Sequence, residues 1–160
     1  MFIRYYLDLA MRFAEVEEKL LHDPASWLPG IAEGAEDRGE RLLVDVGFPA
    51  SDRRVAKSVE IELGNPYRSP GKVLLPLTWR ATRTEGLFPI LEADMEIAGL
   101  GADRTQLSLS GRYRPPLGAL GRVLDRALLH RVAEATVKDF LDGVGQMLRN
   151  GLPAATGTGA

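Results

Sequence analysis

Residues 115–150 read PPLGALGRVLDRALLHRVAEATVKDFLDGVGQMLRN, and the fold hangs on this stretch. Pro115 and Pro116 stop whatever precedes it, and Gly151 and Pro153 close it. A run of roughly thirty residues without proline between such stops predicts a single long helix. Val123, Leu124, Ala127, Leu128, Val132, Ala135, Phe140, Leu141, Val144 and Leu148 recur at helical spacing and define its apolar stripe. Gly118, Gly121, Gly143 and Gly145 each cost up to about 1 kcal/mol against alanine there, which marks close packing or a kink. A stripe of this kind needs a cover, and the segments upstream must supply it.

Those segments change period. Residues 2–10 alternate Ile3, Tyr5, Leu7 and Leu9 against Arg4, Tyr6 and Asp8, the pattern of a strand with one buried face. From Arg12 the spacing of Phe13, Val16, Leu20 and Leu21 predicts a short helix that ends before Asp23-Pro24. A second short helix is expected at 25–28, broken by Pro29-Gly30, with 33–39 as an acidic loop. Extended segments are then expected at 40–48, 55–63, 72–82, 90–98 and 105–114. Pro76 inside the third of these predicts an edge, a bulge or a later start. The last two read as a hairpin turning at 99–103, with Glu92 opposite Ser110, Asp94 opposite Ser108 and Glu96 opposite Gln106. The same parity sets Arg80 opposite Glu92, so the polar residues share a wet outer face and the apolar ones an inner face.

Composition narrows the function. The chain has 160 residues, 45% hydrophobic and 26% charged, as expected of one ordinary globular domain. A net charge of -2 with Arg53-Arg54 as the only adjacent basic pair argues against nucleic acid as a partner. There is no cysteine, so disulfides and thiolate metal sites are excluded, which fits a reducing cytoplasm. Arg4, Asp8 and Arg12 interrupt the early apolar residues where an export signal would need a continuous core. No segment reaches the apolar length of a membrane span. The preference for Arg over Lys, with abundant Ala and Gly, resembles the usage of GC-rich bacteria.

Strand, two short helices, a run of antiparallel strands and one long helix after a proline stop make a recognisable order. Carried by the Asp23-Pro24 to Trp27-Leu28 helix pair, the alternating strands and residues 117–148, it resembles the START-like or Bet v 1-like (SRPBCC) helix-grip superfamily. That superfamily includes polyketide cyclases and aromatases, lipid-transfer domains and many small bacterial proteins. The resemblance implies one α+β domain over 1–150, with a curved antiparallel sheet of six to seven strands wrapped around the C-terminal helix. A seventh strand is either missing or hidden in 48–54 or 83–89, and 151–160 reads as a disordered tail. The resemblance also implies a cavity between the sheet and residues 119–148.

Within such a cavity the expected ligand-binding residues are Tyr5, Trp27, Trp79, Met95, Leu109, Tyr113, Leu128 and His130. Trp and Tyr bury apolar area while keeping one polar group to orient a ligand. Each also reads as a plain core residue, and their value is collective. Gly111, inward on its strand, leaves room for a cavity or for the helix to pass close. His130 reads first as a half-exposed residue paired with Glu134, with a ligand-orienting or general-base role as the alternative. Glu92, Asp94 and Glu96 form a solvated ladder rather than a glycosidase pair. Gly99-Leu100-Gly101 opens no helix after a strand, so no dinucleotide fingerprint is present. With two histidines far apart, no metal, no cofactor and no catalytic residue is assigned. The expected function is binding of an apolar small molecule or lipid, with a second copy of the chain admitted as a partner. The alternatives are a cyclase- or aromatase-like enzyme using the same cavity, and a protein-interaction domain whose cavity is filled.

Overall fold

The computed structural model of the protein describes residues 1–45, 59–81, 90–114 and 126–151, without the side chains of 40–45 and 81. The elements in order are β1 (Phe2–Leu9), α1 (Phe13–Leu21), α2 (Pro24–Asp45), β2 (Val59–Leu63), β3 (Tyr67–Ser69), β4 (Lys72–Ala81), β5 (Ile90–Gly99), β6 (Thr105–Arg114) and α3 (Arg126–Asn150). Six strands form one sheet in the order β1-β6-β5-β4-β2, with β3 beside β4, and all pairs are antiparallel. One face of this sheet is covered by α2 and α3, and the other meets solvent. This is the α+β helix-grip architecture. No helix among the described residues is long and apolar enough to cross a membrane.

The alternation of β5 and β6 is realised as expected. Leu91, Ala93, Met95 and Ile97 are buried inward, while Glu92 and Asp94 are exposed. The register is displaced by two residues from the expected one: Glu92 pairs Arg112, Asp94 pairs Ser110 and Glu96 pairs Ser108. The cause is the turn, where the Leu100 N–H donates to Arg104 O at 2.8 Å and Gly101 takes φ +94. That loop is centred one residue later than the glycine pair suggested. On the other side Thr78, not Arg80, pairs Glu92. An even displacement leaves every side chain on its predicted face.

Pro76 lies mid-strand without breaking β4. Its carbonyl accepts from the Gly64 N–H at 2.8 Å, on the side of β2 and β3. A strand residue points its N–H and C=O to the same side, so the missing N–H falls where Leu63 of β2 has ended and Tyr67 of β3 has not begun.

The second helix departs most from expectation. Residues Pro24–Asp45 form one helix, so the break at Pro29-Gly30, the loop at 33–39 and the strand beginning at Glu40 are all replaced by α2. Proline and glycine inside a helix cost about 3 and 1 kcal/mol. The burial of Trp27, Leu28, Ala32 and Ala35 along one face outweighs that cost. The six strands therefore include Tyr67–Ser69 in place of the segment expected at 40–48. Residues 46–58, 82–89, 115–125 and 152–160, on which the hidden strand, the helix start and the tail were placed, lie outside the described residues.

Two glycines allow the layers to close. A Cβ on Gly111 would lie 2.6 Å from Ala93 Cβ and 2.6 Å from Glu92 O, so its role is neither cavity space nor helix passage. The paired residues Ala93 and Gly111 approach because the sheet bends there toward its inner face. A Cβ on Gly143 would lie 2.8 Å from Ile31 Cγ2, which ties α3 to α2. The buried stripe of α3 runs through Leu129, Val132, Ala133, Thr136, Val137, Phe140, Leu141, Val144 and Leu148. It is rotated from the expected stripe: Ala127 is exposed and Leu128 and Ala135 are half-buried, because α2 covers one flank as well as the sheet below. Replacing Gly111 by alanine is expected to destabilise the fold by about 2–4 kcal/mol, since backbone and a paired Cβ must both give way. Gly143→Ala should cost less, its obstacle being the end of one side chain. Urea unfolding of both variants checks the order.

Candidate functional site

The inner face is built in rows across the strands. One row, Ile61, Trp79, Leu91 and Tyr113, runs from β2 through β4 and β5 to β6 near one end of the sheet. Trp79 and Tyr113 are 0% and 2% exposed. Phe140 of α3 lies edge-on to Trp79, with ring centroids 5.3 Å apart. Met95 and Leu109 pair in a row further along and are equally buried. This is an aliphatic and aromatic interior bounded by sheet, α2 and α3.

A carboxylate enters it. Glu36 of α2 is 1% exposed and lies on the helix face that also carries Leu28, Ala32 and Ala35. Its neighbour in the electrostatic sense is Tyr113. Burial, and then the negative charge of Glu36, push the Tyr113 phenol up from 10.0 to about 12. The phenol therefore remains a neutral hydrogen-bond donor at any physiological pH, beside a group that only accepts when ionised. Thr136, a buried polar side chain of α3, is satisfied within its helix by donating to Val132 O at 2.9 Å.

Sequence reasoning missed Glu36. Gly34, Asp37 and Gly39 gave its neighbourhood the composition of a loop. The signal that could have found it is the spacing of Leu28, Ala32, Ala35 and Gly39, all buried at intervals of three or four.

The other expected site residues separate into three places. Trp79, Met95, Leu109 and Tyr113 are gathered in the interior. Trp27 is buried in the first turn of α2, and Leu128 is half-buried near the start of α3. Tyr5 and His130 are held at the surface of α3. The Tyr5 hydroxyl donates to Asp142 Oδ1 at 3.4 Å, and Lys138 Nζ lies 5.6 Å from its ring centroid. His130 Nε2 lies 3.1 Å from Glu134 Oε1, the pairing its spacing suggested, while its Nδ1 is buried with no hydrogen-bond partner among the described residues. Among the described residues no three acidic or histidine side chains converge as a metal site would require.

Two surface grooves flank this interior. One, of about 640 Å³, crosses the outer face between Glu62, Thr78, Glu92 and Arg112 on one side and Pro76, Asp94 and Ser110 on the other. A second, of about 310 Å³, lies between β1 and α3 and is lined by Ile3, Arg4, Tyr5, Arg131, Glu134, Ala135 and Lys138.

Known structures share the architecture. A hypothetical protein of Helicobacter pylori, jhp0584, superposes with a TM-score of 0.52 at 15% identity, over 93% of this chain and 88% of that one. A conserved protein of Geobacillus kaustophilus gives 0.50 at 15% identity, over 91% and 93%. The Zhui aromatase/cyclase of Streptomyces sp. R1128 gives 0.48 at 16% identity, over 98% of both chains. Likeness at such identity concerns the fold alone. No family model matches the sequence, and no curated protein matches it significantly.

The raised phenol has a consequence for stability. A group whose folded pKa lies above its unfolded one stabilises fully below the unfolded value and loses that contribution as pH rises through the folded one. Stability should therefore fall between pH 10.0 and about 12. The loss should amount to as much as about 3 kcal/mol. Tyr113→Phe should flatten that part of the profile. Spectrophotometric titration should find a tyrosine that ionises only near pH 12, and Tyr113→Phe should remove that step.

Proposed function

We propose that the protein binds an apolar small molecule or lipid in the interior between the sheet, α2 and α3, and holds its polar end with Glu36 and Tyr113. The observation that carries this reading is a carboxylate 1% exposed, beside a neutral phenol, within an otherwise aliphatic and aromatic interior. Burying a carboxylate costs several kcal/mol, and such groups concentrate where a protein handles a ligand. Trp79, Met95, Leu109 and Phe140 supply the apolar wall, with Trp27 and Leu128 at its margins. Tyr5 is not among the proposed contacts, because its hydroxyl is engaged by Asp142 at the β1–α3 seam. A ligand whose head offers one donor and one acceptor, such as a hydroxyl, complements a carboxyl group and a phenol together.

The same pair favours a second reading, an enzyme of the cyclase kind. Glu36 would take a proton and Tyr113 would hydrogen-bond to a developing oxyanion. The two readings share a site and differ in whether the bound molecule is changed.

Native mass spectrometry of the gently purified protein tests both. An apolar adduct is expected on the wild type, with its affinity lowered about tenfold or more in Tyr113→Phe and Glu36→Gln, the scale of one hydrogen bond to a charged group. Adduct retention unchanged in both variants puts the ligand elsewhere. Absence of any adduct, with no uptake of a fluorescent fatty-acid probe, overturns the binding reading. Conversion of an added polyketide-like substrate by the wild type but not by Glu36→Gln would favour the enzyme.

A further inference from the structure

The two edges of the sheet are treated differently. At one edge β2 and β3 are short, five and three residues, and are interrupted by Gly64, Asn65 and Pro66. Glu60 and Glu62 add exposed charge there. Short, broken and charged edges are the usual protection against pairing with another chain. At the other edge β1 runs eight residues, in unbroken one-to-one register with β6. It contains no proline, no lysine, no glycine and no bulge, and among the described residues nothing pairs its outer side.

The polarity of that edge follows from its first pair. The Met1 amine donates to Tyr113 O at 2.8 Å, and the Tyr113 N–H donates to Met1 O at 2.7 Å. Residues alternate along an antiparallel ladder, so Ile3, Tyr5, Leu7 and Leu9 turn their backbone groups toward β6. Phe2, Arg4, Tyr6 and Asp8 turn theirs outward. The same four residues have exposed side chains, and two of them, Phe2 and Tyr6, are aromatic, at 62% and 60% exposed.

We propose that two copies of the chain pair antiparallel through β1 across a two-fold axis at Tyr6. Only like-parity residues can exchange hydrogen bonds in such a ladder, so the possible registers are few. Centring on Tyr6 sets Arg4 opposite the partner's Asp8, and Asp8 opposite the partner's Arg4. It also brings Tyr6 against the partner's Tyr6. Centring on Arg4 instead would oppose two like charges, and centring between Arg4 and Tyr6 would leave both charges unmatched. A two-fold contact must be self-complementary, and β1 has that property in this one register. Asp8 retains freedom to serve, since its own-chain partners are distant or neutral: Arg104 at 3.8 Å and the Gln106 amide at 3.2 Å. The α3 flank beside the edge carries Arg131, Glu134 and Lys138, so the partner's helix meets charges of both signs.

Sedimentation velocity of the full chain over a concentration series tests this. The wild type is expected to be a dimer at micromolar concentration. Tyr6→Pro removes one outward N–H and no bond to β6, and should weaken the dimer at least about tenfold with the fold intact by circular dichroism. Arg4→Asp, on an exposed side chain, should do the same, and adding Asp8→Arg should restore association. A wild type that stays monomeric at every concentration overturns the proposal, and so does a dimer that both single variants leave unchanged. If Tyr6→Pro unfolds, the Arg4 and Asp8 exchange decides alone.

Discussion

Among the described glycines the tightest constraint is the approach of β5 and β6 at Ala93 and Gly111, where no second side chain fits. A flat sheet keeps such paired side chains roughly 5 Å apart on one face. Bringing them to contact folds the inner face into a trough, and a trough is what a single helix can fill. Phe140 then reaches Trp79, three strands in from the β1 edge. The same device recurs at Gly143, whose missing side chain admits Ile31 and brings α2 down beside α3. The helix is gripped because side chains are absent at these points, and large apolar ones are present around them.

The interior polar pair depends on that arrangement in turn. Glu36 is buried because α2 continues past Pro29 and Gly30, and α2 continues because its Trp27, Leu28, Ala32 and Ala35 face finds a core. Had the chain ended its helix at the proline, Glu36 would be a solvated charge. Packing thus overrides local propensity and, in doing so, delivers a carboxylate to a phenol that stays protonated.

The unequal edges bear on the same economy. One edge gives up pairing potential through brevity and charge, while β1, unpaired on its outer side among the described residues, presents outward backbone groups with alternating charge and aromatic side chains. The inner face of β1 is committed to α3 through Tyr5 and Asp142, so its outer edge and face are what remain for association.

The sequence makes legible which residues point inward on β1, β4, β5 and β6, and that a long helix follows the strands. Alternation and helical spacing are local properties, and an even slip of register cannot change a face. It also makes legible that Trp79, Met95, Leu109 and Tyr113 share the inner face. The continuity of α2, the approach of Glu36 to Tyr113, the fit of Gly111 to Ala93 and the turn of Tyr5 toward Asp142 emerge only when the layers pack. Each of these depends on contact between residues far apart in the chain. There, the burial free energy of a whole helix face exceeds the few kcal/mol by which proline, glycine and a charged side chain argue for a loop.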